Sequence, residues 1–183
     1  MLRQDLAEAA FDAVIANGYG QSIEDIAAAI GISRATFFRY FGTKEDIVIA
    51  AMLGPVDIFA AAYTETSGSI WLRLRGAIQP VIERIEAEPD RMRARFQLVQ
   101  SLPQLHAGLR KARQPQIEAL AAMIEREGAD PLGAHVFAVA AIAVLDQCWA
   151  LWANGQQGAI TDALDRAYAH LSDGDLKLRP PGQ

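Results

Sequence analysis

The sequence is poor in the residues that cross-link proteins or hold metals. It contains a single cysteine, Cys148, so it can form neither an intrachain disulfide nor a cysteine-based zinc site. Its three histidines, His106, His135 and His170, are far apart in the sequence and pair with no cysteine. We therefore expect no bound metal or other cofactor, and a reducing, cytoplasmic location.

Several familiar sequence signals are also missing. Polar and apolar residues do not alternate for long anywhere, which argues against a sheet. We find no G-x-S-x-G, phosphate-binding loop or nucleophile–base pairing, so we expect no catalytic residues and no enzyme activity. The chain does not open with a basic segment followed by an apolar one, so no secretion signal is visible. The uncharged run 131–145, which no other run exceeds in length, is too short to span a bilayer as a helix. We expect no membrane association.

The amino-acid composition of the chain favours helices. Hydrophobic residues make up 51% of the 183 residues, and apolar positions recur at helical spacing. We predict an all-α protein of about nine helices, long enough to bury a sizeable core. The expected organisation is a three-helix N-terminal domain over 1–47, a second helical domain over 48–172, and a disordered tail over 173–183.

The most informative pattern occupies residues 22–47. Ser22 and Asp25 have the spacing of a capping box at the start of a short helix, and Gly31 follows where a helix usually ends. Ser33 then begins a second short helix. Two short helices around a glycine turn are the sequence form of a helix-turn-helix, whose second helix enters the DNA major groove. The spacing alone also fits two ordinary amphipathic helices.

The same stretch resembles the DNA-binding segment of the tetracycline-repressor (TetR) family. The residues that match its pattern are Ser22, Ile26, Ala27, Gly31, Ile32, Ser33, Thr36, Phe38, Tyr40, Phe41, Thr43, Lys44, Glu45 and Ile47. The form T-F-F-R-Y-F over 36–41 is most similar to the branch that contains mycofactocin-type and actinobacterial antibiotic-cluster regulators. The resemblance implies a ligand-responsive transcriptional regulator, usually a repressor, that binds a palindromic operator on double-stranded DNA as a homodimer.

The second short helix is expected to read DNA. Arg34 is the best candidate for a base contact, because arginine pairs bidentately with guanine O6 and N7; a solvated or phosphate-bound arginine is the alternative. Ala35 and Thr36 are expected to touch a thymine methyl. The other expected DNA contacts, mostly to phosphates, are Ser22, Ser33, Phe38, Arg39, Tyr40 and Lys44. The predicted apolar face of this helix is Ala35, Phe38 and Phe41.

The charge balance is unfavourable for a DNA-binding domain. The net charge is −5, and residues 1–47 contain four basic and seven acidic side chains. Glu24 would repel phosphate, so we expect it to point away from DNA. Relatives usually carry basic residues before the first helix, whereas this chain begins almost at that helix. We therefore expect modest non-specific affinity and a smaller salt dependence than for a relative with a basic N-terminal arm. The alternative is a dimeric helical ligand-binding or adaptor protein with weak or lost DNA binding.

The second domain is expected to bind a ligand and to dimerise. Its helix over 131–153 is apolar nearly all round, which suits half of an intermolecular four-helix bundle or the central helix of a monomer. The expected dimer residues are Val136, Ala140, Val144, Ile160, Leu164 and Tyr168. The candidate ligand-binding residues, each of which can equally be plain core, are Phe59, Tyr63, Trp71, Phe96, His106, Gln147 and Trp149. The expected effector is a small apolar or acyl compound.

Two further features bear on the effector and on its coupling to DNA. Residues 73–113 contain nine basic and four acidic side chains, which indicates either solvated helix faces or a site for an anionic effector such as a coenzyme A thioester. Gly54-Pro55 predicts a break after the fourth helix, and Pro115 predicts a kink in the seventh. In relatives the fourth helix links the ligand core to the helix-turn-helix, so we expect it to carry the conformational change; a simple loop is the alternative.

Overall fold

The computed structural model describes residues 3–173, and the regular structure of this part is entirely α-helical. Its twelve helices are α1 (Arg3–Asn17), α2 (Ile23–Ala29), α3 (Arg34–Tyr40), α4 (Lys44–Leu53), α5 (Ile58–Glu65), α6 (Ile70–Ala77), α7 (Gln79–Ala87), α8 (Pro89–Ser101), α9 (Pro103–Ala112), α10 (Gln114–Arg126), α11 (Pro131–Ala153) and α12 (Ile160–Asp173). The all-α prediction is confirmed. The predicted tail, 173–183, lies outside the described residues except for Asp173, which ends α12.

Twelve segments arise because three of the nine predicted helices are interrupted. Gly54, with φ of 69°, and Pro55 separate α4 from α5 as predicted. The predicted interruption near Pro115 falls at Arg113, between α9 and α10. A third interruption, at Ile78 between α6 and α7, was not predicted. Pro80 is the second residue of α7, and its ring nitrogen cannot donate a hydrogen bond to the preceding turn.

The chain forms two compact units, and the first combines residues 3–56 with 88–116. In this unit α1 packs against α2, α4 and α8, and α4 also packs against α9. Its buried hydrophobic residues include Leu6, Phe11, Val14, Ile26, Phe37, Phe41, Ile47, Val48, Met92, Phe96, Val99 and Leu105. The unit therefore extends beyond the predicted N-terminal domain, 1–47, because α8 and α9 complete its core.

The second unit combines residues 57–87 with 117–173. Here α6 packs against α5, α7, α11 and α12, and α11 packs against α12. Its interior includes Phe59, Tyr63, Leu74, Ile82, Ile85, Leu120, Leu145, Trp149, Trp152 and Leu164. The inward face of α11 is rich in alanine at 134, 138 and 141, which allows close helix packing, whereas Leu132, Val136 and Val139 are exposed.

Two stretches, Lys44–Glu65 and Pro131–Ala153, are long and apolar enough to cross a membrane by length and composition alone. The first is not one helix, because Gly54 ends α4 before α5 begins. Both place large side chains in the hydrophobic interior, as core helices of globular proteins also do, among them Ile47, Phe59, Leu145 and Trp149. Length and composition therefore do not by themselves indicate a membrane protein.

Candidate nucleic-acid interface

The first helix of the predicted helix-turn-helix is fixed at both ends by its own sequence. The Ser22 hydroxyl accepts a hydrogen bond from the Asp25 backbone N–H at 3.1 Å, and the Asp25 carboxylate accepts one from the Ser22 backbone N–H at 3.3 Å. This is the predicted capping box of α2. Gly31 follows α2 with a positive φ of 70°, which only glycine adopts without strain. Ile26 and Ala27 anchor α2 in the core.

The second helix of the predicted helix-turn-helix, α3, is capped by Ser33 and anchored by two phenylalanines. The Ser33 hydroxyl accepts from the Thr36 backbone N–H at 3.1 Å. Phe37 and Phe41 are buried with ring centroids 5.6 Å apart. The predicted apolar face is wrong at Ala35 and Phe38, which are exposed. Residues 37 and 41 are separated by four positions and therefore share one helix face, and position 38 lies on the side of that face.

The predicted DNA-contacting residues of α3 lie together on its outward side. Arg34, Ala35, Phe38 and Arg39 are exposed, with 43% of Phe38 accessible, and Tyr40 is half-buried. The guanidinium carbon of Arg39 lies 5.0 Å from the centroid of the Tyr40 ring. This side therefore combines two cations with two rings, a composition suited to phosphates and base edges.

Glu24 of α2 does not point away from this surface, contrary to our expectation. Its Oε1 lies 2.8 Å from Nε of Arg34, and 55% and 66% of the two side chains remain exposed. The guanidinium carbon of Arg34 also lies 5.4 Å from the centroid of the Phe38 ring. Arg34 thus has a carboxylate on one side and an aromatic ring on another, and the attraction between opposite charges favours the contact with Glu24.

Lys44, a predicted phosphate contact, is engaged within the unit. Its Nζ donates to the backbone carbonyls of Tyr19 at 3.0 Å and Gln21 at 2.9 Å, and it lies 4.9 Å from the centroid of the Tyr19 ring. The Tyr19 hydroxyl donates to Glu45 at 2.6 Å. Burial and this hydrogen bond raise the pKa of Tyr19, and the bond lowers the pKa of Glu45. Lys44 therefore fixes the loop before α2, and its contact with phosphate stays a prediction.

An ion cluster that is partly buried joins α1 to α8. Nη2 of Arg95 donates to Asp12 at 2.6 Å and to the Glu8 backbone carbonyl at 2.9 Å, and Nη2 of Arg91 donates to Asp12 at 2.6 Å. Arg95 is fully buried. Burial acts to raise the pKa of Asp12, but the hydrogen bonds from Arg91 and Arg95 outweigh it and hold that pKa below its ordinary value. Sequence spacing gave no sign of this cluster.

The C-terminal end of α4 is held by a buried glutamine. Nε2 of Gln116 donates to the backbone carbonyls of Leu53 at 2.9 Å and Pro55 at 3.0 Å, and Nη1 of Arg113 donates to Oε1 of Gln116 at 3.1 Å. Both donor residues are 2% exposed. The carbonyls at a helix end have no partner within the helix, so Gln116 satisfies groups that Gly54 and Pro55 leave open.

Four of the nine basic side chains in the stretch 73–113 pair with carboxylates from distant parts of the chain. Arg73 forms a two-pronged ion pair with Glu127, and its guanidinium carbon lies 4.0 Å from the Tyr63 ring centroid. Nε of Arg75 lies 2.7 Å from Asp165. Together with the pairs of Arg91 and Arg95, these contacts leave less positive charge for an anionic effector than the sequence suggests. Arg110 and Lys111 of α9 are exposed.

The seven candidate ligand-binding residues are divided between the two units. Phe96 is buried and His106 half-buried in the first unit. In the second unit the buried ones are Phe59, Tyr63 and Trp149, and Trp71 is half-buried. Gln147 is exposed and lines a cavity of about 280 Å³ between α11 and α12, with Val144, Cys148, Leu151, Gln157, Ala163, Arg166, Ala167 and His170. Their roles in ligand binding stay predictions.

The predicted dimer residues fall into two groups. Val136 is 54% exposed, and Ala140 and Val144 are half-buried on the outer side of α11. Ile160, Leu164 and Tyr168 are instead buried in the second unit, and the Tyr168 hydroxyl donates to the Ala141 carbonyl at 3.1 Å. These three side chains hold α12 against its neighbours and are not on the surface. The exposed Leu132 and Val139, which our predicted set omitted, extend the apolar outer side of α11.

No group of three or more histidine, cysteine, aspartate and glutamate side chains in residues 3–173 has the arrangement needed to hold a metal ion. The charged and aromatic side chains on the outward sides of α2 and α3 form the candidate recognition surface.

Comparison with known proteins places this arrangement in a family. The sequence profile described as "Bacterial regulatory proteins, tetR family" matches residues 6–51, and the profile "MftR C-terminal domain" matches residues 69–175. Two uncharacterised HTH-type transcriptional regulators of Mycobacterium tuberculosis are 28% identical over 94 residues. Those matches cover 48% of this chain and 39% of the length of each relative.

Solved structures share the fold at lower identity. The transcriptional regulator FadR from Bacillus subtilis, in complex with stearoyl-CoA, is 20% identical, with a TM-score of 0.64 over 93% of this chain and 98% of that one. FadR from Thermus thermophilus, a TetR-family transcriptional repressor in complex with lauroyl-CoA, is 18% identical, with a TM-score of 0.59 over 100% of this chain and 99% of that one. The chain therefore belongs to the tetR family of bacterial regulatory proteins, with a C-terminal domain of the MftR type.

Proposed function

We propose that the protein is a ligand-responsive transcriptional regulator, acting as a repressor, that binds a palindromic DNA operator as a homodimer. The observation that carries the proposal is the outward side of α3. Phe37 and Phe41 fix this helix to the core while Arg34, Phe38 and Arg39 face solvent. One such helix reads few bases, so two copies related by a twofold axis are needed for a specific site.

The test of DNA binding is a titration of the protein onto the DNA upstream of its own coding sequence. We expect a complex that survives excess non-specific competitor and that forms with a stoichiometry of two chains per palindrome. A complex that competitor removes completely would favour the second candidate, a dimeric helical adaptor without specific DNA binding. The specific observation behind that candidate is that Lys44 is engaged by backbone carbonyls and that Glu24 lies beside Arg34.

The proposed effector is a small apolar or acyl compound. Support comes from the aromatic side chains in the interior of the second unit, Phe59, Tyr63 and Trp149, and from structural neighbours that were solved with stearoyl-CoA and lauroyl-CoA. Because four arginines of the stretch 73–113 are paired with carboxylates, the acyl part of such a ligand is expected to contribute more than its phosphates.

The effector proposal is tested with a panel of free fatty acids and acyl-coenzyme A thioesters of increasing chain length. We expect tryptophan fluorescence to change with chain length, and the same ligands to weaken the DNA complex by the factor by which DNA weakens ligand binding. Binding that follows the coenzyme A group and ignores the acyl chain would contradict the proposal, as would ligand binding with no reciprocal effect on DNA.

A further inference from the structure

The contact between Glu24 and Arg34 places a carboxylate on the surface that carries the candidate base-reading arginine. Glu24 is the second residue of α2, and Arg34 is the first residue of α3. The 2.8 Å contact uses Nε of Arg34, so both Nη groups of this guanidinium stay available to a DNA base. The Phe38 ring supports the other side of Arg34 at 5.4 Å from its centroid. The arginine is therefore oriented before DNA arrives.

The order of donor and acceptor groups, with the Arg34 guanidinium beside the Glu24 carboxylate, matches one kind of base pair. In the major groove a guanine presents two acceptors, N7 and O6, and its paired cytosine presents an N4 amino donor beside them. A guanidinium donates hydrogen bonds and a carboxylate accepts them. The two side by side therefore complement a base edge that presents two acceptors beside a donor. An A·T pair presents the acceptor N7, then the adenine N6 donor, then the thymine O4 acceptor. The guanidinium therefore loses its second acceptor, and a carboxylate placed for cytosine N4 meets the O4 acceptor instead of a donor.

We propose that Glu24 is a specificity-determining residue, which together with Arg34 selects a G·C base pair at one position in each half of the operator. Arg34 donates from its Nη groups to guanine, and the second carboxylate oxygen of Glu24 accepts from cytosine N4. This inference rests on the proposed DNA-binding function, and it names the base pair that the reading surface prefers.

The contact with Arg34 also explains why a carboxylate lies on the surface that is proposed to face phosphates. An unpaired carboxylate there lowers the affinity for every DNA sequence. Paired with Arg34 and with a cytosine amino group, it lowers affinity mainly where the cytosine is missing. The same residue therefore reduces non-specific binding and raises discrimination.

The experiment selects bound sequences from random double-stranded DNA with the full chain, and then measures the affinity of the selected operator and of its G·C to A·T variants. For the wild type we expect one position in each half-site to require G·C. Glu24→Ala should reduce the preference at that position roughly tenfold, as expected for loss of one hydrogen bond to a charged group, and leave the other positions unchanged. Glu24→Gln keeps an acceptor oxygen and should lose less of the preference.

Two controls separate the possible explanations. Glu65→Ala removes an exposed carboxylate from α5, in the second unit, and should leave every base preference unchanged. Arg34→Ala should lose the G·C preference at the same operator position as Glu24→Ala. If Glu24→Ala tightens binding to all sequences equally and leaves the preference intact, Glu24 acts only through its charge and the proposal is wrong. If the wild type enriches no sequence, the proposed function itself fails, and this inference fails with it.

Discussion

At the scale of single residues, the most constrained group is the buried guanidinium of Arg95. It is fully buried and depends on Asp12 and on the Glu8 carbonyl for its hydrogen bonds. A buried charge that loses its partner is strongly destabilising, because the protein then contains a desolvated and uncompensated ion. The stability of the first unit should therefore respond to Asp12 more than to any exposed carboxylate.

Replacing Asp12 with asparagine should lower the free energy of unfolding by roughly 2–3 kcal/mol, below the range for fully buried pairs because the Asp12 side chain is partly exposed. The measurement is equilibrium unfolding in urea. Glu125→Gln is the matched control, since it removes an exposed carboxylate from α10. Equal effects of the two substitutions would show that the ion cluster does not stabilise the fold.

The lowered pKa of Asp12 predicts a dependence of stability on pH. Its folded pKa lies below the ordinary value of 3.8, so the unfolded chain binds a proton more readily than the folded one. The contribution of Asp12 to the free energy of unfolding is therefore fully present above pH 3.8 and is lost as the pH falls through the folded pKa. The difference in stability between wild type and Asp12→Asn should shrink over that acidic range. A difference that stays constant with pH would contradict the assigned role.

The sequence predicts those features of a residue that depend on neighbours close to it along the chain. The exposure of Arg34 and the caps at Ser22 and Ser33 follow from positions three or four residues apart. The partners of Glu24 and Lys44 were not predicted, because they lie ten and about twenty-five residues away. Helical spacing identifies the face of a helix but not the side chain that it meets.

At the scale of elements, the junction after α4 is held by a side chain from a distant helix. Gln116 bridges the carbonyls of Leu53 and Pro55 at the point where Gly54 ends the helix. The sequence predicted the break from Gly54 and Pro55, but it did not predict that a glutamine of α10 holds the broken end. The break at Ile78 was also missed, because the apolar spacing continues through α6 and α7 without interruption.

Gln116→Ala should remove one hydrogen-bond partner from the Leu53 carbonyl at the end of α4, from the Pro55 carbonyl beyond it and from buried Arg113, at a cost of roughly 1–3 kcal/mol. We expect faster hydrogen exchange in the last turn of α4, with the amides of α1 little changed. The control is Gln104→Ala, which removes an exposed glutamine from α9. Uniformly faster exchange throughout the first unit would indicate general destabilisation rather than a local restraint on α4.

At the scale of the whole molecule, the composition predicted helices, and the resemblance predicted the family. Neither predicted that residues 88–116 join α1 and α4 in one compact unit, because the amphipathic pattern of a helix does not specify which helix packs against it. The apolar outer side of α11 is exposed at Leu132, Val136 and Val139 in a single chain. Such a stripe is more typical of an interface than of a solvated surface.

Val136→Lys should therefore shift the protein from dimer to monomer and weaken operator binding, since two half-sites are then no longer read together. Sedimentation velocity measures the oligomeric state. Ala61→Lys, at an exposed position of α5 in the same unit, is the comparison for adding the same charge away from this stripe. A wild-type protein that is monomeric at all concentrations, with or without DNA, would exclude the proposed dimer.

The most direct test of the account compares Arg34→Ala with Arg126→Ala in binding to the palindromic operator. Arg34 lies on the outward side of α3, and Arg126 is an exposed arginine of α10 in the second unit. Fluorescence anisotropy at fixed salt should show that Arg34→Ala loses about 1–3 kcal/mol of specific binding energy while Arg126→Ala binds like the wild type. Equal affinity of the two variants for the operator would contradict the claim that this side of α3 reads DNA.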